Sequence, residues 1–123
     1  MFLCYQYGER ELKDKKQKNE LRKYILSPSL ADMKLDDKDS IGYTIKCVGA
    51  GFCGIRSGKD FMTALRDVIM EGGDADTNGS VCGALIGCMI GYEALPEDML
   101  TFPYKEWLDK QVDDFLRIFG YIE

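Results

Sequence analysis

The sequence contains no histidine among its 123 residues. This absence excludes histidine-based catalytic triads, histidine proton shuttles and histidine metal ligands together. Acid–base chemistry would therefore fall to carboxylates. A bound metal ion should be a hard one that is held by oxygen atoms.

The chain also has no excess of basic residues. It contains 16 Lys and Arg and 21 Asp and Glu, which gives a net charge of -5. Proteins that bind a nucleic-acid backbone concentrate Lys and Arg, so we expect no such partner. The longest uncharged run, residues 77–92, is shorter than the roughly 20 apolar residues that span a bilayer. We therefore expect no membrane partner.

A disulfide framework is missing as well. The five cysteines are an odd number and form no C-x-x-C pair. The first seven residues are too short to be a signal peptide, which predicts reduced, mostly buried thiols in a cytoplasmic protein. Without a histidine to activate a thiol, we do not expect a cysteine nucleophile.

The hydrophobic pattern predicts one all-α domain over residues 1–123. Helical periodicity is present in residues 9–26, 59–71 and 103–119. Ser27-Pro28 ends the first segment, and Gly72-Gly73 ends the second, which Asp60 can cap. The aromatic stripe of the third segment is expected to be part of the core.

Residues 40–56 have two interpretations. As a strand, residues 43–48 would lead into Gly49, Gly51 and Gly54, a G-x-G-x-x-G pattern typical of dinucleotide-binding folds. As a helix, Ser40 would cap a buried segment that is rich in small residues. The break at Ser57-Gly58 and the helical periodicity that follows favour the helix.

The stretch from Glu71 to Gly91 has the most unusual composition in the chain. Two glycines precede a cluster of oxygen-bearing side chains, and an uncharged helix is predicted from residue 77 or 78 to about 92. Glycines recur in this helix at 79, 83, 87 and 91, which predicts close approach of a neighbouring helix. The cluster also matches the first half of an EF-hand loop, but its twelfth position is Leu85 where a bidentate Glu is required.

The cluster itself suggests a cation site. Asp74 and Asp76 lie two residues apart, and Thr77 adds a hydroxyl. A sharp turn at Gly72-Gly73 would let these groups face one point, and a helix N-terminus lowers the cost of gathering negative charge. Helix capping alone would need only one acid.

These residues also carry a family resemblance. The run Glu-Gly-Gly-Asp-Ala-Asp-Thr-Asn, followed by Gly-Ala-Leu-x-Gly, Gly-Tyr and Leu-Pro, resembles the C-terminal signature of the ADP-ribosylglycohydrolases. The segment Ile41-Gly42-Tyr43-Thr44-x-Lys46 and the closing Lys105-Glu106-Trp107-Leu108 are similar to that family too. The resemblance covers roughly residues 20 to 120.

The resemblance implies an all-α orthogonal bundle that cleaves the C1″ linkage of ADP-ribose with two Mg²⁺ or Mn²⁺ ions. It implies that Asp74, Asp76 and Thr77 are metal ligands and that Tyr43 lies beside the adenosine part of the substrate. Gly72 and Gly73 are expected at the substrate as well. The partner would be ADP-ribose or an ADP-ribosylated protein.

The sequence departs from the family in one important respect. The family's other metal ligands, a Thr-Asp-Asp run, and its catalytic acid lie in an N-terminal part with no counterpart here. We therefore expect half an active site, inactive alone, which a missing N-terminal half would complete. A binding, regulatory or crystallin-like structural module that keeps the fold is the alternative. Loss of half a bundle is expected to leave an apolar face exposed, and self-association is expected with it.

Overall fold

The computed structural model describes residues 2–123, and over this range the predicted all-α class is confirmed, with no strand present. The helices are α1 (Phe2–Glu11), α2 (Lys15–Ile25), α3 (Thr44–Arg56), α4 (Phe61–Met70), α5 (Ala75–Ile90) and α6 (Lys105–Ile118). Short 3₁₀ turns lie at Ala31–Met33, Tyr92–Ala94 and Glu97–Met99.

The N-terminal segment forms two helices, so the prediction of one helix over residues 9–26 is wrong. Asp14 interrupts it as the N-cap of α2, because its side chain accepts a hydrogen bond from the Lys16 backbone N–H at 2.8 Å. Aspartate competes well for this role, since it satisfies a backbone donor that the first helical turn leaves free.

Helix α3 lies at the centre of the fold and packs against α2, α4 and α5. Its glycines permit this packing. A Cβ on Gly49 would lie 2.6 Å from the Cβ of Tyr24 in α2, and a Cβ on Gly54 would lie 2.5 Å from the Sγ of Cys82 in α5. Because these glycines lie inside a helix and contact other helices, the dinucleotide-binding interpretation is excluded.

The hydrophobic core is built mainly from α3, α4, α5 and the loop that precedes α3. Its fully buried members are Met33, Leu35, Ala50, Ala64, Val68, Cys82 and Ile86. A second buried cluster of Leu21, Ile25 and Phe52 joins α2 to α3.

The acidic cluster, which comprises Asp74, Asp76 and Thr77, lies where the turn after α4 leads into α5. Asp60 caps α4 as predicted, accepting from the Thr63 backbone N–H at 3.0 Å. The predicted close approach along the α5 glycines is wrong at Gly83, where the nearest atom to an added Cβ is 3.9 Å away. Those nearest atoms belong to the side chains of Phe61 and Leu65, which fill the space between the helices there.

A buried lysine holds the loop before α3 in place. Lys46 is 5% exposed, and its Nζ donates to the Lys34 carbonyl at 2.8 Å and to the Ser40 Oγ at 2.5 Å. Hydrogen bonds of this kind make burial of the ammonium group tolerable. The loop is thereby tied to α3 directly beside the acidic cluster.

The aromatic stripe of α6 is exposed, so its predicted place in the core is wrong for this structure. Trp107 is 63% exposed and Phe115 is 58% exposed, and α6 makes no extended packing contact with another described helix. Its first residue, Lys105, lies 5.8 Å from the ring centroid of Tyr92. None of the helices described here combines the length and apolarity needed to cross a membrane.

Candidate functional site

The acidic cluster begins at a turn whose backbone strongly favours glycine. Gly72 and Gly73 have φ angles of 73° and 67°, which few other residues adopt without strain. A Cβ on Gly73 would lie 2.1 Å from the carbonyl oxygen of Leu35. The predicted sharp turn is confirmed, and it is pressed against the backbone of the loop before α3.

Asp74 follows the turn as the N-cap of α5, and its side chain makes no capping hydrogen bond. Its Oδ2 instead lies close to Gly42, 3.2 Å from the position that a Cβ on this glycine would take. The carboxylate is half-buried. Capping therefore does not account for Asp74.

Asp76 and Thr77 lie in the first turn of α5 and are exposed. The pKa of Asp76 is lowered, first by the hydrogen bond that its carboxylate accepts from the Thr77 N–H at 2.9 Å, then by a hydrogen bond with the Asp74 carboxyl group. Neither Asp74 nor Asp76 forms an ion pair with a Lys or Arg of the described chain. The structure thus brings together two acids that lack a basic partner.

Cys47 is a neighbour of this cluster that the sequence analysis did not identify. Its thiol donates to the Thr77 carbonyl at 3.5 Å, and burial, then the charge of Asp74, raises its pKa. The group is therefore a neutral thiol at physiological pH. Cys47 lies four residues after Tyr43, in the first turn of α3, and this spacing was a signal in the sequence that could have identified it.

Tyr43 is the N-cap residue of α3 and connects this helix to α2. Its hydroxyl donates to the Glu20 Oε2 at 2.5 Å, and its ring meets Tyr24 edge-on with centroids 6.5 Å apart. The hydrogen bond to Glu20, followed by burial, raises the pKa of Tyr43 to about 12. The hydroxyl is engaged by α2, and the neighbouring Gly42 is the residue that approaches Asp74.

The donor atoms of the cluster fit one side of a metal site. Carboxylate and hydroxyl oxygens suit Mg²⁺ or Mn²⁺, but each octahedral ion needs about six ligands. Within the part of the chain that the structure describes, no three acidic or cysteine side chains converge as a complete site. The EF-hand alternative is excluded, because its loop positions are helical from Ala75 onward and Leu85 lies within α5.

The chain is similar to a known protein family over almost its whole length. The family model described as ADP-ribosylglycohydrolase matches residues 5–121, which extends the expected range of resemblance toward the N-terminus. No curated protein and no solved structure gives a significant match.

Proposed function

The chain belongs to the ADP-ribosylglycohydrolase family, and we propose that it supplies one side of a metal-dependent site for hydrolysis of the C1″ linkage of ADP-ribose. The remaining ligands and the catalytic acid would come from the N-terminal half of the family's active site. The substrate class is ADP-ribose attached to a protein side chain or to a small molecule.

One observation supports this proposal above the others. The carboxylates of Asp74 and Asp76 are held together at a helix N-terminus without a described basic neighbour. The hydrogen bond between them requires a proton on one of the two groups. When both groups are ionised they repel each other, and a divalent cation would take the place of that proton. The helix N-terminus reduces the cost of the charge without neutralising it.

Each site residue has a role in this proposal. Asp74, Asp76 and Thr77 would hold Mg²⁺ or Mn²⁺ through oxygen atoms. Such an ion, when bound, polarises ribose hydroxyls and lowers the pKa of a water molecule. Gly72 leaves room for close approach of substrate to the backbone, and Tyr43 would offer its half-buried ring to the adenosine part.

Calorimetric titration of Mg²⁺ and Mn²⁺ into the purified chain tests the proposal, with and without ADP-ribose. We expect weak saturable binding, because three side chains supply only part of an octahedral shell. The double variant Asp74→Asn, Asp76→Asn should abolish it. The control Asp109→Asn, Asp113→Asn changes the net charge equally on exposed α6 and should leave binding intact.

Equal binding by wild type and the Asp74, Asp76 double variant would contradict the proposal. Absence of binding to either protein would favour the alternative of a regulatory or crystallin-like module that keeps the fold. Circular dichroism of each variant would show whether the helical content is retained.

A further inference from the structure

A cavity of about 220 Å³ lies at the other end of α3 from the acidic cluster. It is enclosed by the C-terminal turn of α3, the loop after α2 and one face of α4, and Arg56, Lys59 and Asp67 are its charged lining residues. Thirteen residues of α3 separate the two ends of the helix, roughly 20 Å at 1.5 Å per residue. No residue of the metal-site proposal lines this cavity.

The guanidinium group of Arg56 is incompletely paired there. Its Nη2 donates to the Ser27 carbonyl at 2.5 Å, whereas its Nη1 is buried and has no hydrogen-bond partner among the described residues. Buried polar groups in proteins are nearly always hydrogen-bonded, and an unpaired donor on a charged group is especially costly. An orphaned buried donor of this kind indicates an acceptor that the chain itself does not provide.

The charge of Arg56 is not balanced by the groups around it. Arg56 forms no ion pair with a described carboxylate, and the one acid of the lining, Asp67, is paired with Lys59 at 2.5 Å. Burial raises the pKa of the adjacent Cys53 thiol, although the charge of Arg56 and a hydrogen bond with its guanidinium group oppose this shift. A neutral thiol is only a weak acceptor, so it does not balance the charge of Arg56. The lining therefore keeps one excess positive charge.

The C-terminal carbonyls of α3 do not supply the missing acceptor for Arg56 either. The Cys53 and Gly54 carbonyls accept from the Ser57 backbone N–H at 3.0 Å and 3.2 Å. The Ser57 hydroxyl also donates to the Gly54 carbonyl at 2.7 Å. These acceptors, which could have attracted Arg56, are already engaged.

We propose that this cavity binds a small oxyanion of single negative charge, a carboxylate or a phosphate monoanion, with the free Nη1 of Arg56 as its principal donor. A guanidinium group matches the oxygen geometry of both ligands. The anion would complete the hydrogen bonding of Arg56 and neutralise the excess charge together.

Titration of the ¹⁵N-labelled chain with sodium acetate and, separately, with sodium phosphate tests the proposal by NMR. Sodium chloride at equal ionic strength is the reference. We expect saturable shifts confined to residues 53–59 and the facing part of α4. Saturation with one oxyanion or with both supports the site and identifies its ligand class. Saturation with chloride as well, or unsaturable shifts spread over surface bases, overturns it.

Variants make the test specific to Arg56. Arg56→Met should weaken binding by about tenfold or more, because a hydrogen bond to a charged group contributes about 1.5–3 kcal/mol. Arg66→Met removes the same charge from an exposed position on α4 and should leave binding unchanged. Arg56→Lys keeps the charge and should bind more weakly than wild type. Undiminished binding by Arg56→Met overturns the proposal, as does a high-resolution structure in phosphate that shows only water at Nη1.

Discussion

The hydrogen bond between Tyr43 and Glu20 joins two helices through a single proton. The raised pKa of Tyr43, about 12, means that the folded state holds this proton more tightly than the unfolded chain, whose ordinary value is 10.0. The bond therefore stabilises the fold fully below about pH 10, and its contribution is lost as the pH rises through about 12.

We expect Glu20→Gln to return the pKa of Tyr43 toward its ordinary value, because the neutral amide no longer favours the protonated phenol through its charge. NMR titration of ¹³C-labelled tyrosine rings, assigned with Tyr43→Phe, measures this directly. Glu106→Gln on exposed α6 is the matched control and should change nothing at Tyr43. An unchanged Tyr43 pKa in Glu20→Gln would show that burial, not Glu20, sets the value.

Residues of the acidic cluster differ in how readily the sequence reveals them. The spacing of Asp74, Asp76 and Thr77 after two glycines predicts that these groups are neighbours, because a turn and one helical turn suffice to gather them. Their assignment as metal ligands stays a prediction. The contact of Asp74 with Gly42 could not be predicted, since it depends on how distant parts of the chain pack.

At the scale of helices, the two glycine-rich segments have opposite roles. Gly49 in α3 has no room for a methyl group, because an added Cβ would lie 3.0 Å from the backbone of Tyr24, which cannot rotate away. Gly83 in α5 has nothing closer than 3.9 Å. The first glycine is thus required by packing, and the second is not.

This difference predicts effects of opposite sign. Gly49→Ala should destabilise the chain by about 1–3 kcal/mol through overpacking. Gly83→Ala should stabilise it by up to about 1 kcal/mol, because alanine is the better helix former. Urea denaturation of the two variants beside wild type measures both changes. Equal effects at the two positions would be inconsistent with the packing described here.

The positions of the helices were largely predictable from the sequence. Which helices pack against one another was not. The periodicity of residues 61–70 and the Asp60 cap were enough to define α4. The regular four-residue glycine spacing predicted that a neighbouring helix approaches the glycines of α5, but the tightest contacts are made at glycines of α3, and the Gly54 contact is with Cys82 of α5. Spacing in sequence gives the face on which glycines lie and says little about what approaches that face.

At the scale of the whole molecule, two apolar features could contact a partner, an exposed stripe and an open groove. One is the stripe on α6 that includes Trp107 and Phe115. The other is an open groove of about 350 Å³ on the body of the fold, where α1, α2 and α3 meet. The groove is lined chiefly by Leu12, Leu21, Ile25, Ile45, Val48 and Phe52. Exposed apolar surfaces of this kind mark interaction sites or aggregation hazards.

We expect the chain to self-associate through the α6 stripe. Sedimentation velocity should show an average mass that rises with protein concentration. Phe115→Ser, Phe119→Ser should shift the equilibrium toward monomer, since burial of each ring contributes about 1.5–3 kcal/mol. Lys110→Ser, Asp113→Ser alters the charged side of the same helix and should not do so. A wild-type chain that stays monomeric at high concentration would contradict this expectation.

The turn at Gly72-Gly73 has a consequence for the interpretation of related sequences. Packing alone requires Gly73 in this chain, whether or not the site is active, because the Leu35 carbonyl occupies the space of a side chain. Its presence in a relative is therefore poor evidence of hydrolase activity. Asp76 and Thr77 are exposed and contribute little to packing, so they can be lost without loss of the fold. These two positions, more than the glycines, should distinguish enzymes from relatives that retain only the scaffold.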